Sequence, residues 1–492
     1  MTSHFHERAS GVLLHPTSLP GAHGCGDLGP QAHAFAQWLQ GAGQRYWQML
    51  PVGPLGYGNS PYSALSAFAG NPLLISLDRL ADEGLLPRSA LSGAPPLAPG
   101  RTDYAAARAW REQCLRIAFG AFAKRTSDHP PYQIFCAGSA GWLEDFALYS
   151  AIKRARRELP WTAWEPDLRA RDPAALDRAR QALRGEIDQQ RFEQFLFARH
   201  WQALRDASAL LGVRLIGDLP IFVAHDSADV WAHRELFFLD PQGQPTVIAG
   251  VPPDYFSATG QRWGNPLYRW DEATLRWWLQ RFAAMLARFD AVRLDHFIGF
   301  TRYWEIPAGE PTAQNGRWRP GPGARLFERL GPAPLIAEDL GAVTPEVTAL
   351  RDQFGFPGIK LLQFAFGTDP QSPTFLPYHY PRNSVAYTGT HDNDTTVGWF
   401  GKLGNPERAA TLSYLGTEGR EIHWEMLRAV WTSVANLAIA PMQDLLGLGS
   451  EARMNTPGTA QDNWEWRLSA MPGAEVQERL RALTATCGRS AR

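Results

Sequence analysis

Cysteine is scarce in this 492-residue chain: four residues, Cys25, Cys114, Cys136 and Cys487, lie far apart with no C-x-x-C pair. That spacing argues against a disulfide framework or a zinc site and for reduced thiols. Net charge is equally sparse. Lys and Arg number 48 against 49 Asp and Glu, a formal −1, so no basic field draws nucleic acid or an anionic membrane. The Arg-rich stretch 152-IKRARREL-159 reads as a solvated helix face. No run of 18 apolar residues occurs, and MTSHFHERAS at the start lacks a basic-then-apolar leader. A soluble cytoplasmic protein is the expectation. No G-x-G-x-x-G turn follows the first apolar run, and no tandem repeat or low-complexity tail is present.

What is present is core material. Hydrophobic residues make up 45% and charged residues 20%, ordinary for a globular chain that holds several average domains or one large α/β domain with insertions. Eight short apolar runs recur, each ending in polar or glycine-rich residues: 11-GVLLHP, 45-RYWQMLPVGP, 213-VRLIGDLPIFV, 291-AVRLDHF, 334-PLIAEDLG, 358-GIKLLQFAF, 384-SVAYTGTHDND and 437-LAIAPMQDLLG. Helical stripes lie between several of them. Trp278, Phe282, Met285 and Phe289 precede the fourth run; Phe192, Phe195, Leu204 and Leu211 precede the third, with Gly212 as a stop. The alternation predicts a (β/α)₈ barrel, with a doubly wound sheet as the rival. A barrel places its chemistry at the C-terminal ends of the strands. His15, Asp218, Asp295, Glu338, His391, Asp392 and Asp444 all follow the apolar part of their own run.

One catalytic barrel over 1–492 is therefore expected. Residues 73–200 form an inserted, mostly helical subdomain, and 224–275 a second insertion whose Pro-, Gly- and Trp-rich 249–268 reads as an ordered loop near the mouth. The 19 tryptophans leave two readings open. Trp161, Trp164, Trp263, Trp318 and Trp464 either stack on sugar faces or build large hydrophobic clusters.

In VRLDHFIG (292–299), strand alternation puts Arg293 and Asp295 on one face, where the guanidinium can hold the carboxylate ionised and aimed. Carboxylates at several strand ends suit either a divalent-metal site or glycosyl chemistry. A cation beside Asp295 disfavours the metal and favours a nucleophile. Apolar neighbours and nearby negative charge would raise the pKa of Glu338, as a general acid requires. His296 and His391 can hydrogen-bond sugar hydroxyls without adding fixed charge.

The ordered set GDLPIFV (217–223), VRLDHFIG (292–299), IAEDLG (336–341) and GTHDND (389–394) resembles the four signature regions of the α-amylase clan. In detail it resembles the amylomaltase family, the 4-α-glucanotransferases of glycoside hydrolase family 77. GYGNSPYS (56–63), VPPDYFSATGQRWGNPLY (251–268), RMNTPGT (453–459) and NWEWR (463–467) extend the likeness over most of the chain. The resemblance implies Asp295 as nucleophile, Glu338 as general acid/base and Asp392 as the third carboxylate. Asp218, Arg293, His296, His391 and Asn463 are implied around the cleaved sugar, Tyr62 as an aromatic platform, and Trp263 as a contact from a loop over the groove. It further implies malto-oligosaccharides and amylose as substrates, glucose as an acceptor, and no metal or cofactor. Ala258 departs from the family's glutamate. The retaining chemistry so implied sets Asp295 and Glu338 roughly 5–5.5 Å apart. Transfer with weak hydrolysis is expected, with Tyr255, Phe256 and Trp263 as acceptor contacts. A hydrolase of the same clan and a non-catalytic glucan-binding scaffold are the alternatives.

Overall fold

The computed structural model describes residues 4–94, 98–124, 129–253, 257–459 and 461–490. Eight parallel strands close into a barrel: Ala9–Leu13, Tyr46–Gln48, Arg214–Leu219, Ala291–Leu294, Leu335–Ala337, Gly358–Leu361, Ser384–Tyr387 and Leu437–Pro441. Each lies within one of the eight runs, or overlaps it closely, and each is hydrogen-bonded to its sequence neighbours among the eight, the first also to the last. The last strand, LAIAP, is buried at all five positions, as are the four residues of AVRL and of SVAY. Parallel strands covered on both faces read as unbroken apolar runs for this reason.

Helices cover the barrel. Arg184–Leu210 buries Phe192, Phe195 and Leu204 and ends before Gly212 at φ 70°, a left-handed stop that glycine takes without cost. Glu272–Arg288 is capped by the Asp271 side chain, which accepts from Thr274 N–H, and buries Trp278, Phe282 and Met285. Between the sixth and seventh strands no α-helix intervenes among the described residues. The connection there runs through short 3₁₀ turns at Leu362–Phe366, Ser372–Phe375 and Pro377–His379.

Between the second and third strands the chain is mainly helical, with Tyr104–Phe122 and Pro130–Ala155 packed on Arg184–Leu210. The 249–268 segment differs from the loop expected of it. Val247–Val251 and Gln261–Pro266 are antiparallel strands that join Arg302–Pro307 and Arg317–Pro320 in a separate four-stranded sheet. Most tryptophans serve packing. Trp47, Trp161, Trp231, Trp278 and Trp431 are fully buried, and Trp164 meets Trp231 edge-on at 5.5 Å. Among the described residues no helix is long and apolar enough to cross a membrane.

Candidate active site

The third and fourth strands pair Asp218 with Arg293 in register, so their side chains meet inside the barrel. Arg293 Nη1 donates to both Asp218 oxygens, at 2.8 and 2.7 Å, and to Asp295 Oδ1 at 2.9 Å. Asp218 is buried and takes a further hydrogen bond from the Tyr62 hydroxyl at 2.7 Å. It therefore anchors the arginine, and Asp295 stands one step further out, its side chain 26% exposed toward the mouth. Burial opposes the charge on Arg293, but Asp218 and Asp295 outweigh it and push the guanidinium above its ordinary range. Burial raises Asp218 despite the arginine.

Glu338 follows the fifth strand directly. Burial pushes its carboxyl up to about 8; the charges on Asp295 and Asp339 add to the rise, while Arg293 and the His296 amide work against it. A carboxylic acid that keeps its proton at neutral pH thus stands beside Asp295, whose charge is the first of the two that add to its rise. The His296 ring is pushed down to about 4 by burial, so it is neutral at pH 7.

Asp392 comes from the loop after the seventh strand. Its Oδ2 is 3.3 Å from His391 Nε2, and its Oδ1 accepts from Asn455 Nδ2 at 2.6 Å. Arg453 clamps the same loop, donating to the main-chain oxygens of Asp392 at 2.6 Å and Asn455 at 2.7 Å. The Tyr62 ring stacks on His391, centroids 5.2 Å apart at 14°, with Trp464 5.8 Å away. Burial raises the Tyr62 hydroxyl well above its ordinary range, and the charges of Asp218, Asp295 and Asp392 add to that, so it remains a donor. Trp263, 38% exposed, meets the His296 ring edge-on at 4.9 Å.

Among the described residues, Asn463 hydrogen-bonds within its own loop. Its Oδ1 accepts from Thr456 N–H at 2.8 Å, and its Nδ2 donates to the Thr459 main-chain oxygen at 2.9 Å and hydroxyl at 3.0 Å, closing the loop that carries Asn455. Asn455, not singled out from the sequence, is the asparagine that reaches Asp392. Removing it leaves a charged acceptor short of one hydrogen bond, so Asn455→Ala is expected to lower kcat/KM about 10–100-fold. An unchanged thermal midpoint alongside that loss would separate it from misfolding. Asp444 is occupied by Thr388 Oγ1 at 2.5 Å and Thr396 N–H at 2.7 Å. His15 is buried and pushed down to about 3, by burial first and then by His391. Tyr255 and Phe256 lie outside the described residues. Among those described, no group of three His, Cys, Asp or Glu side chains is placed to hold a metal ion.

Fold and site together define a class: a (β/α)₈ barrel enzyme whose mouth sets an arginine-held carboxylate beside a protonated one, between aromatic walls. A family model described as 4-alpha-glucanotransferase matches residues 14–472. The chain belongs to that family, glycoside hydrolase family 77. It is 51% identical to the 4-alpha-glucanotransferase of Synechocystis sp. over 474 residues, 94% of each chain. It is also 51% identical to that of Thermus thermophilus over 496 residues, 97% of this chain and 98% of the relative. The solved amylomaltase from Streptococcus agalactiae in complex with acarbose superimposes at a TM-score of 0.95 with 37% identity, covering 99% of this chain and all of that one.

Proposed function

We propose that the barrel mouth moves α-1,4-glucan segments between malto-oligosaccharides by a retaining double displacement. Asp295 attacks the anomeric carbon of the donor while Glu338 gives its proton to the departing 4-oxygen. The shortened glucan leaves with that proton, and a glycosyl ester on Asp295 remains. The 4-hydroxyl of an acceptor then attacks, Glu338 takes its proton, and Asp295 is released. Asp392, His391, Asp218, Arg293, Tyr62, His296, Trp263 and Asn463 position the sugar. Amylose serves as a long donor and glucose as an acceptor, with no cofactor, nucleic acid or membrane partner. The four free cysteines agree with a cytoplasmic protein. Residues 73–200 are taken as a helical subdomain of one catalytic barrel spanning 1–492, and 249–268, within the 224–275 insertion, as the segment over the groove.

One observation carries the assignment: Arg293 holds Asp295 at 2.9 Å while Glu338 beside it keeps its proton up to about pH 8. An Asp295–Glu338 carboxyl separation of roughly 5–5.5 Å in a sugar complex is the geometric requirement, and one beyond ~8 Å contradicts retention.

Transfer differs from hydrolysis only in what attacks the ester. A ~100-fold preference for sugar over water needs about 2.7 kcal/mol of barrier difference, within reach of an oriented acceptor and a covered site. Maltotriose incubated with the pure protein is expected to give glucose together with longer oligosaccharides, while total reducing ends stay nearly constant. Reducing ends rising as fast as bonds break, with no longer products, would leave a hydrolase.

A further inference from the structure

The chain departs from extended geometry one residue beyond Asp295. His296 sits at φ 50°, a left-handed conformation that is uncommon for any residue carrying a Cβ. The surrounding amides show what the kink does. Val292 N–H donates to Pro334 O at 3.0 Å. Stepped two residues at a time along both strands, that ladder would bring His296 N–H to the main-chain oxygen of Glu338. Instead Phe297 N–H takes that oxygen at 2.9 Å, while Asp295 N–H keeps its regular ladder partner on the third strand, Leu219 O at 3.1 Å. The slip of one residue, like that of a bulge, frees His296 N–H, which donates to Glu338 Oε2 at 2.7 Å. Among the described residues Oε1 receives the longer contact from Leu340 N–H, 3.3 Å.

We propose that His296 is a positioning residue: its left-handed turn releases a main-chain N–H that clamps Oε2 of Glu338 and leaves the transferable proton on Oε1. The proposal rests on Glu338 being the general acid/base. It is independent of any sugar contact by the imidazole. The charged groups facing Glu338 are Arg293 on the fourth strand, Asp295 just beyond it and Asp339 on its own loop; the neutral His296 ring adds none. An amide donor favours the ionised carboxylate, so losing the clamp raises the pKa of Glu338.

The test compares His296→Gly with His296→Ala in full pH profiles of kcat and kcat/KM on maltotriose. Both variants lack the imidazole, so a lost sugar contact weighs on them equally. Glycine enters the left-handed region freely, and histidine is found there several-fold more often than most residues with a Cβ, an advantage alanine lacks. His296→Gly is expected to keep the parent's basic limb. His296→Ala should show that limb moved to higher pH and a kcat about tenfold below the glycine variant, the scale of the left-handed cost. Identical limbs and equal kcat in the two would overturn the proposal, as would a deficit confined to KM. His296→Asn and His296→Ser repeat the contrast should the alanine chain fail to fold: asparagine tolerates the left-handed region and should track glycine, and the reverse order counts against the clamp. Glu338→Gln is run in parallel. Full turnover in that variant would refute the acid assignment itself, whatever the histidine variants do.

Discussion

Asp295→Asn is expected to bind malto-oligosaccharides with near-parental affinity and to turn them over at least about 10⁴-fold more slowly, the scale seen when a covalent nucleophile is removed. The amide is isosteric but cannot form the glycosyl ester, and no neighbouring carboxylate can replace it. Asp218 is committed to Arg293 and the Tyr62 hydroxyl, and Asp392 to Asn455. Glu338 holds its proton at neutral pH. The fold should survive, because Arg293 retains both oxygens of Asp218 when it loses Asp295. Calorimetric binding of maltotriose together with a progress curve distinguishes the outcomes. Loss of both binding and turnover would mean that Asp295 holds the sugar as much as it attacks it. Unimpaired turnover removes it from the mechanism. In the parent enzyme, a slow fluorinated glucosyl donor should label the peptide containing Asp295, and label on another side chain would move the nucleophile there.

The site was legible in the sequence wherever it sits on a barrel strand. A strand covered on both faces shows itself as an apolar run, and the first polar residues beyond the run are those at the mouth. That reading marked Asp218, Asp295, Glu338, His391 and Asp392, together with His15 and Asp444, and alternation alone put Arg293 and Asp295 on one face. The four-stranded side sheet was not legible. Its strands VIAGV, QRWGNP, RYWEIP and RWRP are short, rich in Gly, Pro and Arg, and partly exposed. Glu305, which would mark an outward face by pattern, is buried and paired with Arg317 at 2.7 Å. That buried glutamate, reached by an arginine that itself stays exposed, breaks the two-residue alternation on which strand recognition depends. Asn455 was not legible, because its hydrogen bond to Asp392 depends on how the 455–463 loop closes, not on any local pattern. The turn at His296 is a property of backbone dihedrals, and histidine is not the residue that signals it. Tryptophan context left two roles open, and the structure divides them: Trp161 and Trp164 are buried in packing, Trp464 is buried against Tyr62, and Trp263 is exposed beside His296.

Replacing Glu338 by Gln should produce two effects of opposite sign. Turnover is expected to fall about 10²–10⁴-fold, the usual contribution of a positioned acid/base, because glutamine neither gives nor accepts the proton. In the parent, the acid form is present below about pH 8, so kcat/KM should decline as pH rises through that value, and the variant's residual activity should lack that limb. A maltosyl fluoride donor, whose leaving group needs no proton, should restore the first step. The glycosyl ester would then accumulate until azide, which needs no base, is added to accept it. Stability moves the other way. In the unfolded chain the Glu338 carboxyl ionises around its ordinary 4.5, whereas in the fold it keeps its proton to about 8. The folded chain therefore binds the extra proton across that window. The stabilisation is fully present below about 4.5 and is lost as pH rises toward 8. Glutamine does not titrate and escapes this loss. The thermal midpoint of Glu338→Gln measured against the parent should rise steadily from pH 5 to pH 8 and level off above it. A flat difference would mean that Glu338 ionises normally in the fold, and the proton that the mechanism needs would have to come from another group.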